Sequence, residues 1–297
     1  MIVEAAPAKL NLSLQVVGKR IDGYHLLDSL VAFADVGDAI AVVPDELITL
    51  SIDGPFAGAL LETPDNLVLR AARALAAATG TSEGAKIRLT KNLPVASGIG
   101  GGSADAAATL RALGRLWGLL PEPDRLAELA YGLGADTIAC LGAQPAWMSG
   151  TGEIIETVGA LPEAGIVLCN PGVAVPTPAV FRARNAPFTR PARFPIPADA
   201  AGLARALEGT SNDLAAPALS LAPSIGTVLA ALEKLPGALL SRMSGSGATC
   251  FALFADRPAA KAAAAALKAA APRGWWVAEA GWHKAPEAAV VGLRGGC

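Results

Sequence analysis

Apolar and polar residues alternate regularly near the start of the chain. In residues 8–17 every second position is apolar, and the polar positions between them are Lys9, Asn11, Ser13 and Gln15. Successive side chains of a β-strand point to opposite faces of a sheet. The pattern therefore predicts a half-buried strand, and its polar face, taken by itself, is typical of a solvated surface.

Two further strands are predicted immediately downstream. Asp22 and Gly23 form a turn signal before the apolar stretch 26–36, and Gly37 and Asp38 form a second one before residues 39–43. Glycine and aspartate are frequent turn residues, so we expect the chain to break at both places.

Helical spacing of apolar residues marks the remaining segments. It predicts helices over about 66–79, 106–117, 124–133, 225–232 and 258–271. Short apolar runs predict strands over about 87–90, 238–241, 249–255 and 275–278. The strand, strand, helix, strand order near the end indicates a compact α+β unit. Proline and glycine become frequent around 150–162, which suggests one domain over 1–157 and another over 158–297.

Composition and charge exclude several classes of protein. The 297 residues are 53% hydrophobic and carry a net charge of -2, which suits a packed core and leaves no basic stripe for nucleic acid. The uncharged runs 164–181 and 214–232 contain prolines, so neither is expected to span a membrane. Because the first residues lack the basic and apolar regions of a signal peptide, we expect a cytoplasmic protein.

The four cysteines are too far apart in sequence for a metal motif. We expect Cys140, Cys169 and Cys250 to be buried apolar fillers and Cys297 to be incidental.

The strongest candidate for chemistry is a glycine-rich segment between a predicted strand and a predicted helix. It contains Gly98, Gly100, Gly101 and Gly102. Glycines let backbone N–H groups approach an anion, and a helix start adds unpaired N–H groups, so phosphate is the natural ligand. No lysine follows as a Walker loop requires, and Ser103 stands where a dinucleotide-binding fingerprint has Gly or Ala. From the glycines alone, a tight turn without a ligand is an equally good interpretation.

Two weaker signals lie elsewhere in the chain. The small-residue segment 243–248 joins two apolar runs and, by itself, is more typical of a hairpin turn. Asp136 follows a predicted helix end at Gly134 and, by spacing alone, is more typical of a helix cap.

Taken together, these segments resemble the GHMP kinase superfamily. Its three ordered motifs are matched by residues 7–14, 93–105 and 241–248. Within the superfamily, residues 8–11 and 22–25 resemble the kinases that act on 4-diphosphocytidyl-2-C-methyl-D-erythritol. Residues 65–72, 134–136, 176–181 and 211–214 match as well. The resemblance implies an α+β, two-domain fold, with an N-terminal domain like the second domain of ribosomal protein S5 and a ferredoxin-like C-terminal domain. The active site would lie in the cleft between them.

The resemblance also implies a reaction. ATP, accompanied by Mg²⁺ to neutralise its phosphates, would phosphorylate the 2-hydroxyl of the cytidyl substrate, a step of the non-mevalonate route to isoprenoid precursors. Asp136 would accept the hydroxyl proton, and Lys9 would hold the carboxylate and the hydroxyl in place. The usual Val-Pro after this aspartate is replaced by Thr137 and Ile138, which puts the local geometry in question.

Binding residues follow from the same matches. The ATP contacts would be Asn66, Pro94, Ala96, Ser97, Gly98, Gly100, Gly101, Gly102 and Ser103. Tyr24 and Phe181 would sandwich the cytosine ring, and His25 would hydrogen-bond its edge. Asn11 and Thr177 match further substrate contacts. No metal ligand is assigned.

Three alternatives remain at this point. The first is another GHMP kinase, such as a homoserine or mevalonate kinase, and the second is a nucleotide-binding sensor without catalysis. A dehydrogenase is disfavoured by the missing dinucleotide fingerprint. Monomer and homodimer are both compatible with the sequence.

Overall fold

The structure is a computed structural model that describes residues 1–60 and 66–284. Cys297, and Asp65 at the predicted start of the first helix, lie outside these residues. Of the cysteines in the described part, Cys140, Cys169 and Cys250 are buried, as predicted.

The first half of the chain forms a seven-stranded sheet. Its strands are β1 (Ile2–Asn11), β2 (Gln15–Lys19), β3 (His25–Asp45), β4 (Ile48–Asp53), β5 (Gly84–Thr90), β6 (Ala146–Gly150) and β7 (Ile154–Thr157). The order is β4-β5-β3-β6-β7, and β1 and β2 also pair with β3. The long central strand β3 therefore connects the whole sheet.

Four helices belong to this first half. They are α1 (Leu67–Thr79), α2 (Gly101–Trp117), α3 (Pro123–Leu133) and α4 (Ala135–Gly142), and a short 3-10 turn spans Ala57–Leu60. Small alanine side chains on α2 let it pack closely against β1 and β3, and Leu110 and Leu113 are fully buried there. The start of α2 is thereby held beside the strands that carry Lys9 and Asp38.

The second half forms a four-stranded antiparallel sheet with helices. The strands are β8 (Gly165–Asn170), β9 (Leu240–Met243), β10 (Cys250–Phe254) and β11 (Trp276–Ala280). The helices are α5 (Thr177–Ala183), α6 (Ala200–Glu208), α7 (Ala215–Leu221), α8 (Ser224–Glu233) and α9 (Arg257–Ala270). The order β11-β8-β10-β9 is that of a ferredoxin-like domain. The predicted α+β class is confirmed.

Side chains from the two halves share one hydrophobic cluster. Leu12 and Leu30 of the first half pack in it with Ile166 and Phe251 of the second half. Burial of this apolar surface fixes the two sheets against each other. No helix in the described part of the chain is long and apolar enough to cross a bilayer.

Two predictions about strands were wrong. Gly37 does not break the chain, since β3 runs through it; a Cβ there would lie 2.4 Å from the carbonyl oxygen of Ala6, so glycine permits a close strand approach instead. The predicted strand 8–17 is interrupted between Asn11 and Gln15. Its polar face is also buried, with Lys9 only 3% exposed. A buried row of polar side chains excludes the solvated-surface interpretation.

Candidate active site

A cavity of about 1220 Å³ has walls from both halves of the chain. Every residue to which the resemblance assigns a role lines it: Lys9, Asn11, Tyr24, His25, Asn66, Pro94, Ala96, Ser97, Gly98, Gly100, Gly101, Gly102, Ser103, Asp136, Thr177 and Phe181. Positions from distant parts of the sequence thus meet in one place. Their individual roles stay predictions.

The glycine segment ends at the first turn of α2. Gly100 is the N-cap with φ 63°, and no side chain caps this helix. At the start of α2, Ala104 N donates to Gly100 O at 2.8 Å. The N–H groups of residues 101–103 therefore lack helical partners and, with the helix dipole, form a site suited to an anion.

The segment 243–248 packs against this glycine loop. Gly98 has φ 76°, and a Cβ there would lie 2.6 Å from the carbonyl oxygens of Ser244 and Gly247. Ser244 Oγ donates to Gly98 O at 3.0 Å, and Thr249 N donates to Ser97 O at 2.9 Å. The segment joins β9 to β10, as the hairpin interpretation predicted, and it also supports the loop.

A second layer of hydrogen bonds holds segment 243–248 itself. Asn212 Nδ2 donates to Met243 O at 2.8 Å and to Gly245 O at 2.9 Å. The hydroxyls of Thr177 and Ser246 lie 2.7 Å apart. The two bonds from Asn212 give a structural reason for the asparagine in the matched segment 211–214. The contact between Thr177 and Ser246 ties α5 to the cavity wall.

Lys9 and Asp136 form an ion pair at the cavity wall. Lys9 Nζ lies 3.0 Å from Asp136 Oδ2, and the two side chains are 3% and 36% exposed. Lys9 Nζ also donates to Asn11 Oδ1 at 2.8 Å, and Asn11 Nδ2 donates to Ser29 Oγ at 2.8 Å. A Cβ on Gly100 would lie 3.1 Å from Lys9 Cβ, so this lysine packs directly beside the glycine loop. The ammonium is held rigidly while the carboxylate remains open to a ligand.

Asp136 stands in the first turn of α4, a helix that the sequence patterns did not predict. Gly134, with φ 155°, occupies the N-cap position, so the interpretation of Asp136 as a cap was wrong. Thr137 and Ile138 are buried, at 0% and 4% exposed. The helix forms with this pair in place, and it directs the carboxylate to Lys9.

A second lysine lies on the other side of the glycine loop, in a fully buried ion cluster. Lys91 Nζ lies 2.5 Å from Asp38 Oδ2 and 2.7 Å from Asp105 Oδ2, and all three side chains are at most 3% exposed. Asp38 Oδ1 accepts the N–H groups of Asn92 at 2.6 Å and Leu93 at 2.8 Å. Since Lys91 precedes the loop and Asp105 follows it, the cluster ties the two ends of the loop together.

The carboxyl group of Asp105 is strongly perturbed. Burial raises its pKa to about 7, the attraction of Lys91 opposes this rise, and the charge of Asp38 adds to it. Asp105 Oδ1 has no hydrogen-bond partner in the structure. Sequence reasoning missed this cluster, although Lys91 lies two residues before the glycine motif begins and Asp105 ends it.

The aromatic residues adopt an arrangement different from the one expected. The rings of His25 and Phe181 stack on each other, with centroids 4.9 Å apart and planes at 22°. Tyr24 is 66% exposed. Burial, with the charges of Lys19 and Arg184, lowers the pKa of His25. The imidazole is therefore neutral near pH 7 and offers one donor and one acceptor.

Asn66 caps α1, with its Oδ1 accepting from Val68 N at 2.8 Å. The cap fixes its position in the cavity wall.

No cluster of three or more His, Cys, Asp or Glu suited to a metal ion occurs in residues 1–60 and 66–284.

Comparison with known proteins identifies the class. The family model described as "GHMP kinases N terminal domain" matches residues 66–145, and "GHMP kinases C terminal" matches residues 198–273. The chain belongs to the GHMP kinase family, which confirms the predicted two-domain kinase fold and makes it an ATP-dependent kinase.

Its relatives are more specific. A protein of Paramagnetospirillum magneticum is 54% identical over 279 residues, covering 93% of this chain and 96% of the relative, and one of Cereibacter sphaeroides is 55% identical over 277 residues, covering 92% and 96%. Both are named 4-diphosphocytidyl-2-C-methyl-D-erythritol kinase. A crystal structure of 4-(cytidine 5'-diphospho)-2C-methyl-D-erythritol kinase is 35% identical, has a TM-score of 0.79 and covers 95% of this chain and 100% of that chain.

A homoserine kinase of Cytophaga hutchinsonii shares the fold at 20% identity. Its TM-score is 0.67, and the match covers 94% of this chain and 93% of that chain.

Proposed function

We propose that this chain transfers the γ-phosphoryl group of MgATP to the 2-hydroxyl of 4-diphosphocytidyl-2-C-methyl-D-erythritol. The Lys9–Asp136 pair, 3.0 Å apart in the wall of the cavity that the glycine loop also lines, is the observation that carries the proposal. An alcohol is a weak nucleophile, and a carboxylate within reach of its proton makes it a better one.

The donor binds at the glycine loop. The unpaired N–H groups at the start of α2 hold the phosphates, and Asn66, which lines the same cavity, contacts the nucleoside. Magnesium would be supplied with the ATP and would neutralise part of the charge on its phosphates. We assign no side chain to it.

The acceptor hydroxyl lies between Asp136 and the γ-phosphate. Its oxygen attacks phosphorus as the bond to the ADP oxygen breaks, and its proton passes to the Asp136 carboxylate. Lys9, held by Asn11, keeps that carboxylate in position and offsets the negative charge gathered there. The products are ADP and the phosphorylated alcohol.

The cytidyl end of the acceptor binds at His25 and Phe181. The His25 and Phe181 rings stack face to face in the structure. We therefore propose that cytosine displaces His25 and stacks on Phe181 in its place. Tyr24, largely exposed beside them, then covers the other face of the base. The displaced neutral imidazole meets the base edge with one donor and one acceptor.

Coupled ADP release tests the proposal directly, with the cytidyl substrate, homoserine and mevalonate as separate acceptors. Turnover with the cytidyl substrate alone is expected. Turnover only with homoserine or mevalonate would overturn the acceptor assignment. ATP binding without turnover of any of the three would favour a sensor.

We also propose a domain boundary between residues 157 and 158. It is supported by the position of this point between the last strand of the first sheet, β7, and the first strand of the second, β8.

A further inference from the structure

Besides Lys91, which Asp38 and Asp105 engage, three cationic side chains in the cavity wall have no part in the mechanism above. Lys19 ends β2 and lies directly opposite His25 in the pairing with β3. Arg182 follows Phe181 on α5, and Arg184 ends that helix. All three line the cavity. They therefore line the same cavity as the stacked pair at which we place the base.

Two of these cations have no partner among the described residues. Lys19 and Arg182 are exposed, and neither forms an ion pair or a side-chain hydrogen bond within residues 1–60 and 66–284. The nearby carboxylate Asp22 is engaged by Arg20 at 2.8 Å. The wall beside the base site thus carries uncompensated positive charge.

Arg184 is held differently, by backbone carbonyl oxygens. Its side chain is 3% exposed, and its terminal nitrogens donate to Ala186 O at 2.7 Å and Pro187 O at 2.5 Å. Its Nη2 lies 3.7 Å from Asp213 Oδ2. Its Nε is buried and has no hydrogen-bond partner in the described part of the chain. Arg184 therefore contributes its positive charge, rather than a free donor, to this part of the wall.

The field of these charges reaches the base site. Lys19 and Arg184 both lower the pKa of His25, after the larger effect of burial. The same field attracts an anion attached to the base.

We propose that Lys19 and Arg182, with the nearby charge of Arg184, form an anion subsite for the diphosphate of the nucleotide acceptor. The inference rests on the proposed function and deepens it. A diphosphate is attached to the sugar next to the base, so a base on Phe181 brings its phosphates among these cations. Lysine and arginine are the side chains best suited to bind phosphate oxygens. ATP phosphates are bound separately, by the N–H groups at the start of α2.

The test compares CDP with cytidine, which share the base and differ in the phosphates. Binding is measured by calorimetry on the wild type, on the Lys19→Ala/Arg182→Ala double variant, and on Arg190→Ala as the matched control. Arg190 is an exposed arginine near the same helix that does not line the cavity.

We expect CDP to bind the wild type at least about 10-fold more tightly than cytidine, and the double variant to lose most of that advantage. Cytidine affinity and the KM for ATP stay within about 2-fold. The KM for the cytidyl substrate rises about 10- to 100-fold with little change in kcat. The single variant Arg182→Lys, in which Lys19 is unchanged, retains most of the CDP affinity.

Equal affinity of CDP and cytidine for the wild type would overturn the subsite, and so would unchanged CDP affinity in the double variant. A rise in the KM for ATP instead would place these cations at the donor. Failure of the proposed function is distinguishable, because it shows as absent turnover of the cytidyl substrate by the wild type, whereas CDP binding is measured without turnover.

Discussion

Two lysines flank the glycine loop, and each pairs with aspartate in a different setting. Lys9 meets Asp136, which is 36% exposed to the cavity. Lys91 meets Asp38 and Asp105, and this cluster is at most 3% exposed throughout. The first pair has a carboxylate that a substrate reaches. In the second cluster the lysine and the two carboxylates pair with each other, and Asp38 also accepts the backbone N–H groups of the residues that lead into the loop.

The difference shows how the same residue types serve chemistry or structure. A buried ion cluster contributes little net stability over an apolar one, but removing one member leaves uncompensated buried charge. An ion pair at a cavity wall is still solvated by water or ligand, so removing one of its members lowers the unfolding free energy less. Variants of each pair should therefore differ in what they damage.

Asp136→Asn is expected to have the largest effect. It removes the proton acceptor, so kcat falls by about 10²- to 10⁴-fold while ATP affinity changes little. Steady-state ADP release and calorimetric ATP binding measure both. Asp124→Asn is the control, since Asp124 is also an acid in the first turn of a helix, α3, but does not line the cavity. Near-normal turnover of Asp136→Asn would remove it from the role of base.

Lys91→Met should act on stability instead. It leaves Asp38 and Asp105 buried without their cation, which costs about 3–5 kcal/mol of unfolding free energy. Denaturant unfolding measures this. Lys86→Met is the control, since Lys86 is exposed on β5, the strand that Lys91 directly follows. A loss as small as that of the control would show that the cluster does not hold the loop.

Asp105→Asn should change the pH dependence of stability. The carboxyl pKa is about 7 in the folded protein, above its ordinary 3.8. Between about pH 4 and 7 the folded state keeps a proton that the unfolded state releases, so stability falls as the pH rises. The variant cannot titrate and should lose this slope, which is at most about 1.4 kcal/mol per pH unit. Unfolding curves from pH 4 to 8 compare the two, and identical slopes would contradict the shifted carboxyl.

Local patterns predicted most of the regular elements of the fold. The alternation in residues 8–17 and the helical spacing after Gly102 are strong signals, because they reflect which side chains are buried. The long strand β3 was missed since Gly37 serves a close approach to β1, a tertiary requirement that resembles a turn in sequence. Short helices such as α4 carry too few residues for a clear period.

The candidate site was accessible from sequence only through family resemblance. The glycines of segment 98–102 by themselves fit a phosphate site and a ligand-free turn equally well. Lys9 and Asp136 are far apart in the chain and meet only through β1 and α4. The Lys91 cluster and the cations around His25 give no local pattern. Their meaning depends on burial and on missing partners, which only a folded structure shows.

Lys9→Met, measured for both turnover and stability, tests the central distinction most directly. With the cytidyl substrate we expect kcat to fall by at least about 10²-fold. The unfolding free energy should fall by only about 1–3 kcal/mol, less than for Lys91→Met, because Asp136 remains solvated and chiefly Asn11 loses a partner. The reverse result, a loss as large as that of Lys91→Met with near-normal kcat, would show that Lys9 is structural and contradict the account.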